Sequence, residues 1–249
     1  MKHWMILLMT KGVVLAVLLS ALNGCALVGD FPLSLGASWK EEVLLHDGSK
    51  IIVKRSQTRG GRHEIGQDTP VAEHIMSFTH PITGQIITWK NTYGNTIEDS
   101  SLLPLGLEIK GGTVYLVTTT AGCITYNKWG RPNPPYVFFQ YDGANWQRIP
   151  LEEFPAEFKE ANVVISGLVR QFEQRLTQYS GPVPAEEVRK INAEAKNRDV
   201  QYLRVFVREP LDPKKTTSNV NCEELVFYKG AWIGPGDSIG RGMMDRISK

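Results

Sequence analysis

Ile75-Met76-Ser77-Phe78-Thr79-His80-Pro81-Ile82-Thr83-Gly84-Gln85-Ile86-Ile87-Thr88-Trp89 carries the pattern that decides the fold. Two runs rich in β-branched and aromatic residues flank a four-residue turn, Pro81–Gly84. Folded back through that turn, the segment Ile75–His80 meets Gln85–Asn91. Phe78 then faces Ile87 and Met76 faces Trp89, all on one side, as a core-facing hairpin requires.

The same arrangement recurs along the chain. Leu107–Lys110 and Thr113–Thr120 turn across Gly111-Gly112, which pairs Ile109 with Val114 and Leu107 with Leu116. Tyr136–Tyr141 and Trp146–Ile149 turn through Asp142-Gly143-Ala144-Asn145, with Tyr141 facing Trp146. That last turn, Tyr-Asp-Gly-Ala-Asn-Trp, is similar to the Asp-box turn of some propellers and other β proteins, a folding motif. Nearer the start, Trp39–His46 and Ser49–Lys54 meet at Asp47-Gly48, which suits a type I′ turn because both positions need positive φ. Counting outward pairs Leu44 with Ile51, Val43 with Ile52 and Glu41 with Lys54. Apolar residues then fall on both faces, which predicts a ribbon covered on both sides.

Polar or irregular segments, 55–70 and 93–106, are expected as loops between hairpins. After Pro150 the character changes. Glu152–Glu160 reads as a short helix, Asn162–Ile165 as a strand, and 166–179 as a helix carrying Leu168, Val169, Phe172 and Leu176. Pro184–Lys196 is a further helix, opened by proline and with Glu186 and Glu187 in its first turn. Its inner stripe is Ala185, Val188, Ile191 and Ala195. Gln201–Arg208 and Glu223–Trp232 read as the last strands. The sum is a mainly β (α+β) domain over 39–233. Its antiparallel hairpins form a sandwich or barrel-like core, with one or two helices in the C-terminal half. Residues 234–249, with four glycines, are expected as a flexible tail.

The N-terminal 24 residues read as a secretory signal. Lys2 and Lys11 supply charge, and Gly12–Leu22 is an apolar run interrupted only by Ser20. Eleven residues fall short of the roughly 20 that span a bilayer. Met9-Thr10-Lys11 offers a second compact start for translation. The run ends in Leu22-Asn23-Gly24-Cys25, which resembles the lipobox of bacterial lipoproteins; a plain signal peptide or an N-terminal membrane anchor are the other readings. The resemblance implies lipidation of the Cys25 sulfur, cleavage before it, and a short lipidated tether over 25–38. Ala26 does not resemble the Asp that retains such proteins at the inner membrane, which implies the outer membrane. Two or three acyl chains suffice for a durable anchor.

With Cys25 taken by lipid, Cys123 and Cys222 remain as an even pair in an oxidising compartment. A disulfide between them is expected, the alternative being two buried thiols. The formal net charge of +2 is carried by Lys2 and Lys11, so the mature chain is neutral. A neutral domain has no global field to gather nucleic acid.

Chemistry is sparsely signposted. There is no His-Glu-x-x-His helix. His74 and His80 share a strand phase but lie about 20 Å apart, too far for one metal, and read as strand-end or rim residues. Gly234–Gly242 lacks the Lys-Ser/Thr of a phosphate loop. No cofactor and no metal is expected. The most unusual segment is Asn127–Tyr136, where three prolines stiffen a loop bearing Trp129, Arg131 and Tyr136, residue types enriched at binding hot spots. A second candidate surface is Arg59, Arg62 and His63 around Gly60-Gly61, a possible anion nest. Arg59–Gln67, Asn127–Val137 and Arg208-Glu209-Pro210-Leu211 resemble segments of a set of uncharacterised proteobacterial proteins, a resemblance that implies no chemistry. These observations point to a lipid-anchored binding or structural module of the cell envelope, with another envelope protein or peptidoglycan as partner. The alternative is an envelope hydrolase using the 59–67 loop.

Overall fold

The computed structural model describes residues 36–60, 69, 71–93, 101–165, 170–194 and 201–247. The signal segment, Cys25, Arg62 and His63 lie outside the described residues.

Strands β1 (Gly36–Leu44), β2 (Lys50–Arg59), β3 (Val71–Thr79) and β4 (Ile86–Thr92) form one antiparallel sheet in chain order. β5 (Leu102–Lys110), β6 (Thr113–Thr120), β7 (Tyr136–Tyr141) and β8 (Trp146–Ile149) form a second in the same way. Each is a meander, because strands adjacent in the chain lie side by side in the sheet. Val43, Val53, Met76, Phe78, Ile87 and Trp89 of the first sheet share one buried cluster with Leu107, Ile109, Val114, Leu116 and Phe139 of the second. The two sheets therefore face each other as a sandwich, mainly β and not closed into a barrel.

The other face of the second sheet is buried too. Leu105, Val117, Tyr136, Phe138 and Ile149 pack there against Phe154, Phe158, Ile165 and Leu203. The first sheet is treated differently: its outer face meets solvent, and Ile52 is 42% exposed. At β1, α2 (Arg170–Thr177) and α3 (Ala185–Glu194) enclose a third cluster of Trp39, Val164, Leu176, Val183, Val188 and Ile191. Val183 runs parallel beside β1, accepting from Glu42 N at 2.9 Å and donating to Lys40 O at 2.8 Å. The remaining elements are α1 (Cys123–Lys128), α4 (Gln201–Arg204), the hairpin β9 (Val226–Tyr228) with β10 (Ala231–Ile233), and α5 (Ser238–Ile247). Cys123 and Cys222 sit at disulfide distance, Sγ–Sγ 2.04 Å and Cα–Cα 5.3 Å.

Three hairpins have the expected register: Phe78 with Ile87, Ile109 with Val114, and Tyr141 with Trp146. The first hairpin is shifted by one residue. Leu45 N donates to Ser49 O at 2.8 Å, Gly48 N donates to Leu45 O at 3.0 Å, and Gly48 has φ +84°. This is a three-residue loop with glycine in the left-handed region, not a two-residue turn. Val43 consequently pairs with Ile51, Glu41 with Val53 and Lys40 with Lys54. A one-residue slip sends every side chain to the opposite face, so the predicted Glu41–Lys54 pair does not exist and Glu41 points inward.

Other differences have local causes. β2 continues to Arg59 where a loop was expected, because Arg55 and Gln57 occupy inward positions. β5 begins at Leu102, and its proline is tolerated at an edge strand with a register shift between Pro104 and Gly106. A side chain at Gly106 would approach Val117 to 3.0 Å and Phe206 to 3.1 Å, which accounts for the glycine. Glu152–Glu160 is not a helix; only a 3₁₀ turn, Leu151–Glu153, overlaps its start. Val163, Val164 and Ile165 are buried in irregular chain. Gln201–Arg208 is not a strand: α4 buries Leu203, and Phe206 N then bonds Lys159 O at 2.8 Å. The expected flexible tail contains α5, whose first turn is capped by Asp237, with Gly240 N donating to its Oδ1 at 2.8 Å.

Candidate functional site

The Pro-rich segment packs into the fold. Tyr136 is 2% exposed; its hydroxyl donates to Tyr202 O at 2.6 Å and accepts from Val207 N at 3.2 Å. Burial pushes its phenol well above the usual range. Trp129 packs edge-on against Phe139 at 5.8 Å under the Arg148 guanidinium at 5.3 Å. Arg131 donates to Cys222 O at 2.8 Å and Glu223 O at 2.9 Å. Arg131 thus ties the C-terminal segment to the turn after α1, while the Tyr136 side chain is buried at the floor of the second sheet. Of the second candidate group, Arg59 is clamped on Glu173 and on Thr69 O, the latter at 2.7 Å.

His74 is buried within β3 and not at a strand end or rim, whereas His80 does follow directly on the end of β3 and is buried there. His80 caps its own turn: Nδ1 accepts from Ile82 N and Thr83 N, and Nε2 donates to Gly112 O at 2.9 Å. His74 belongs to a charged layer inside the sandwich. Arg55 Nη1 donates to Glu41 Oε1 at 2.8 Å, and Nη2 donates to His74 Nε2 at 2.8 Å. Trp39 Nε1 donates to Glu41 Oε2 at 2.7 Å, and the guanidinium lies 5.1 Å from the Trp39 ring. Because arginine can only donate, Nε2 of His74 must accept, which fixes a neutral ring with its proton on Nδ1. That N–H has no partner.

Burial first, and the Arg55 charge second, hold the His74 pKa well below 6.5. The unfolded ring gains a proton near pH 6.5 that the folded ring refuses. This contribution to stability is therefore complete above pH 6.5 and is lost as pH falls below it, by up to about 1.4 kcal/mol per unit. His74→Gln should flatten the acid side of the stability profile, measured by urea denaturation between pH 7 and 5. An unchanged slope would mean that another group sets it.

A second carboxylate–imidazole pair lines a pocket of about 270 Å³. His46 Nδ1 meets Glu108 Oε2 at 3.0 Å, and Asn162 Nδ2 donates to Glu108 Oε1 at 3.0 Å. Burial raises the Glu108 pKa, with the His46 bonds opposing it. No Ser, Thr or Cys lines this pocket. Asn162 also bonds Leu44 O and both backbone groups of Leu107, so the cluster joins the two sheets.

The feature best suited to bind something lies on the open face of the first sheet. There Lys40 on β1 sits directly opposite Lys54 on β2, with Ser77 next in the row. The adjacent row is Ser38, Ser56 and Ile75. Tyr179, 37% exposed, stands at the rim with Ser180 and Gly181, and the cleft measures about 410 Å³. The parallel bridge of Val183 to β1 brings Tyr179 here. Other lysines of this face are neutralised, Lys50 by Glu42 at 2.9 Å and Lys90 by Glu73 at 2.6 Å. Lys40 and Lys54 have no ion pair among the described residues. Like charges directly opposite in a sheet destabilise it; an anion between them removes the repulsion. Sequence reading missed this cleft because it assigned Glu41 to Lys54.

Among the described residues, no group of three or more His, Cys, Asp or Glu side chains could hold a metal ion. The fold and cleft define an antiparallel β-sandwich with a cationic, hydroxyl-lined groove on its open sheet. Comparison with family models, characterised proteins and solved structures finds no match to the chain.

Proposed function

We propose that the chain is a lipid-anchored protein of the outer membrane whose sandwich is a binding module for an anionic glycan of the envelope, peptidoglycan being the polymer of that chemistry. The observation that carries this reading is the facing, unneutralised pair Lys40 and Lys54 beneath Tyr179. Two ammonium groups suit carboxylates, the serines suit sugar hydroxyls, and the tyrosine offers a face for a sugar ring. The lipobox-like Leu22-Asn23-Gly24-Cys25 supplies the anchor in this account.

Co-sedimentation of the full chain with purified peptidoglycan tests the reading. Lys40→Ala/Lys54→Ala should weaken binding at least about tenfold, since each charge-assisted bond is worth about 1.5 kcal/mol or more. Thermal stability should hold or rise, because the repulsion is gone. Equal binding by the variant would sink the proposal.

A hydrolase is the second reading, and the His46–Glu108 pair favours it: an imidazole oriented through Nδ1 leaves Nε2 to activate water. Turnover of an ester or phosphodiester by the purified chain, lost in His46→Ala or His63→Ala, would establish it.

A further inference from the structure

The C-terminal helix α5 docks on the protein by its polar side. Asp245 Oδ1 accepts from Tyr228 Oη at 2.8 Å and from Lys229 Nζ at 2.5 Å. The Arg241 guanidinium lies 5.0 Å from the Tyr228 ring, and Nη2 donates to Pro235 O at 3.3 Å. The opposite face is apolar. Ile239, Met243 and Ile247 follow one another at four-residue intervals, so they form a single stripe. They are 80%, 57% and 70% exposed. Phe227, on the hairpin that holds the helix, is 55% exposed and packs at a tilt against Trp232, ring centroids 5.5 Å apart.

Surface helices ordinarily bury the apolar stripe and expose the polar face. Here the order is reversed, and contiguous exposed apolar residues mark a contact surface. The charges sort in a way that names the partner. Asp237 is occupied in capping the helix and Asp245 in holding the hairpin. Arg246, beside the stripe, is exposed and has no ion pair among the described residues. The free charge next to the apolar stripe is therefore positive.

We infer that α5 is an interfacial helix: Ile239, Met243 and Ile247 enter the surface of an anionic lipid bilayer, and Arg246 meets the phosphates. A stripe with a cationic flank is the pattern of helices that lie in a membrane surface. No helix among the described residues is long and apolar enough to cross a membrane, and α5 has only 10 residues, so it lies on the bilayer rather than across it. A second copy is a poorer occupant. Three side chains offer far less than the roughly 800 Å² per partner of a stable protein interface, and a bilayer needs no matching shape. Gly240 and Gly242 make the helix a weak one on its own, so it depends on what it contacts. The inference is independent of the lysine cleft. If Cys25 carries lipid, insertion becomes intramolecular and a short stripe is enough.

Hydrogen exchange by mass spectrometry tests this on the full chain bound to vesicles. With phosphatidylglycerol, amides of 239–247 should exchange about tenfold more slowly than with phosphatidylcholine. Ile239→Asp/Met243→Asp should abolish the difference while leaving the melting temperature unchanged, because both side chains are exposed. Arg246→Gln should reduce the preference for phosphatidylglycerol. Equal exchange on both lipids would overturn the inference. So would slowing that follows protein concentration and not lipid composition, which would mean that a second copy covers the stripe.

Discussion

Replacing Arg55 by alanine should cost about 3–5 kcal/mol of folding stability, the usual consequence of stranding one member of a buried ion pair. Glu41 and Arg55 are both fully buried. Without the guanidinium, the Glu41 carboxylate keeps only the Trp39 indole and the Val164 amide as donors. It must then either remain charged in the core or take up a proton. For a domain of this size the midpoint should fall by roughly 10 °C. Chemical denaturation of wild type, Arg55→Ala and Glu41→Gln/Arg55→Met separates the causes. The double variant removes the unpaired charge while keeping an acceptor for Trp39, so it should recover part of the loss. A single-variant cost below about 1 kcal/mol would mean that the layer relaxes or admits solvent.

Cys123→Ser/Cys222→Ser should destabilise by about 4–5 kcal/mol in the chain-entropy account, because the link closes a loop of separation 99. The disulfide does not act alone. Asn127 Nδ2 donates to Glu223 O at 2.9 Å, its Oδ1 accepts from Leu225 N at 2.8 Å, and Asn219 Nδ2 donates to Thr120 Oγ1 at 2.8 Å. These bonds hold the same corner in the reduced chain, so the serine variant should fold but melt roughly 10–20 °C lower. A negligible change would assign the corner to the hydrogen bonds.

Three of the four hairpins could be read from sequence because their evidence is local. A turn of defined length fixes which residues meet, and matching apolar faces confirm the register. The first hairpin shows how narrow that margin is. Asp47-Gly48 supports both a two-residue turn and the three-residue loop that forms, and the choice depends on whether Leu45 or His46 closes it. That single residue converts an expected Glu41–Lys54 pair into facing lysines outside and a Glu41–Arg55 pair inside. A signal was present: Trp39, Glu41 and Val43 share one phase, as do Val53, Arg55 and Gln57, and opposite charges in a buried phase imply an internal pair.

The C-terminal half resisted for a different reason. The alternation of Leu203, Val205 and Val207 looks like a strand, but only Val205 finds a bridge, to Glu160, and the chain before it coils into α4. Trp129, Arg131 and Tyr136 have the composition of a hot spot, yet Trp129 packs against one core cluster and Tyr136 is buried in another, which only the tertiary structure shows. In α5 the glycines alone suggest a flexible tail, and the helix is held by contacts with Tyr228 and Lys229.

The most direct test of the account is fractionation of cross-linked native envelopes containing wild type, Cys25→Ser or Lys40→Ala/Lys54→Ala. Wild type should be found with both membrane lipid and peptidoglycan. Cys25→Ser should leave the membrane fraction, and the lysine variant should stay with the membrane but lose peptidoglycan. A lysine variant that still cross-links to peptidoglycan as wild type does would contradict the binding function.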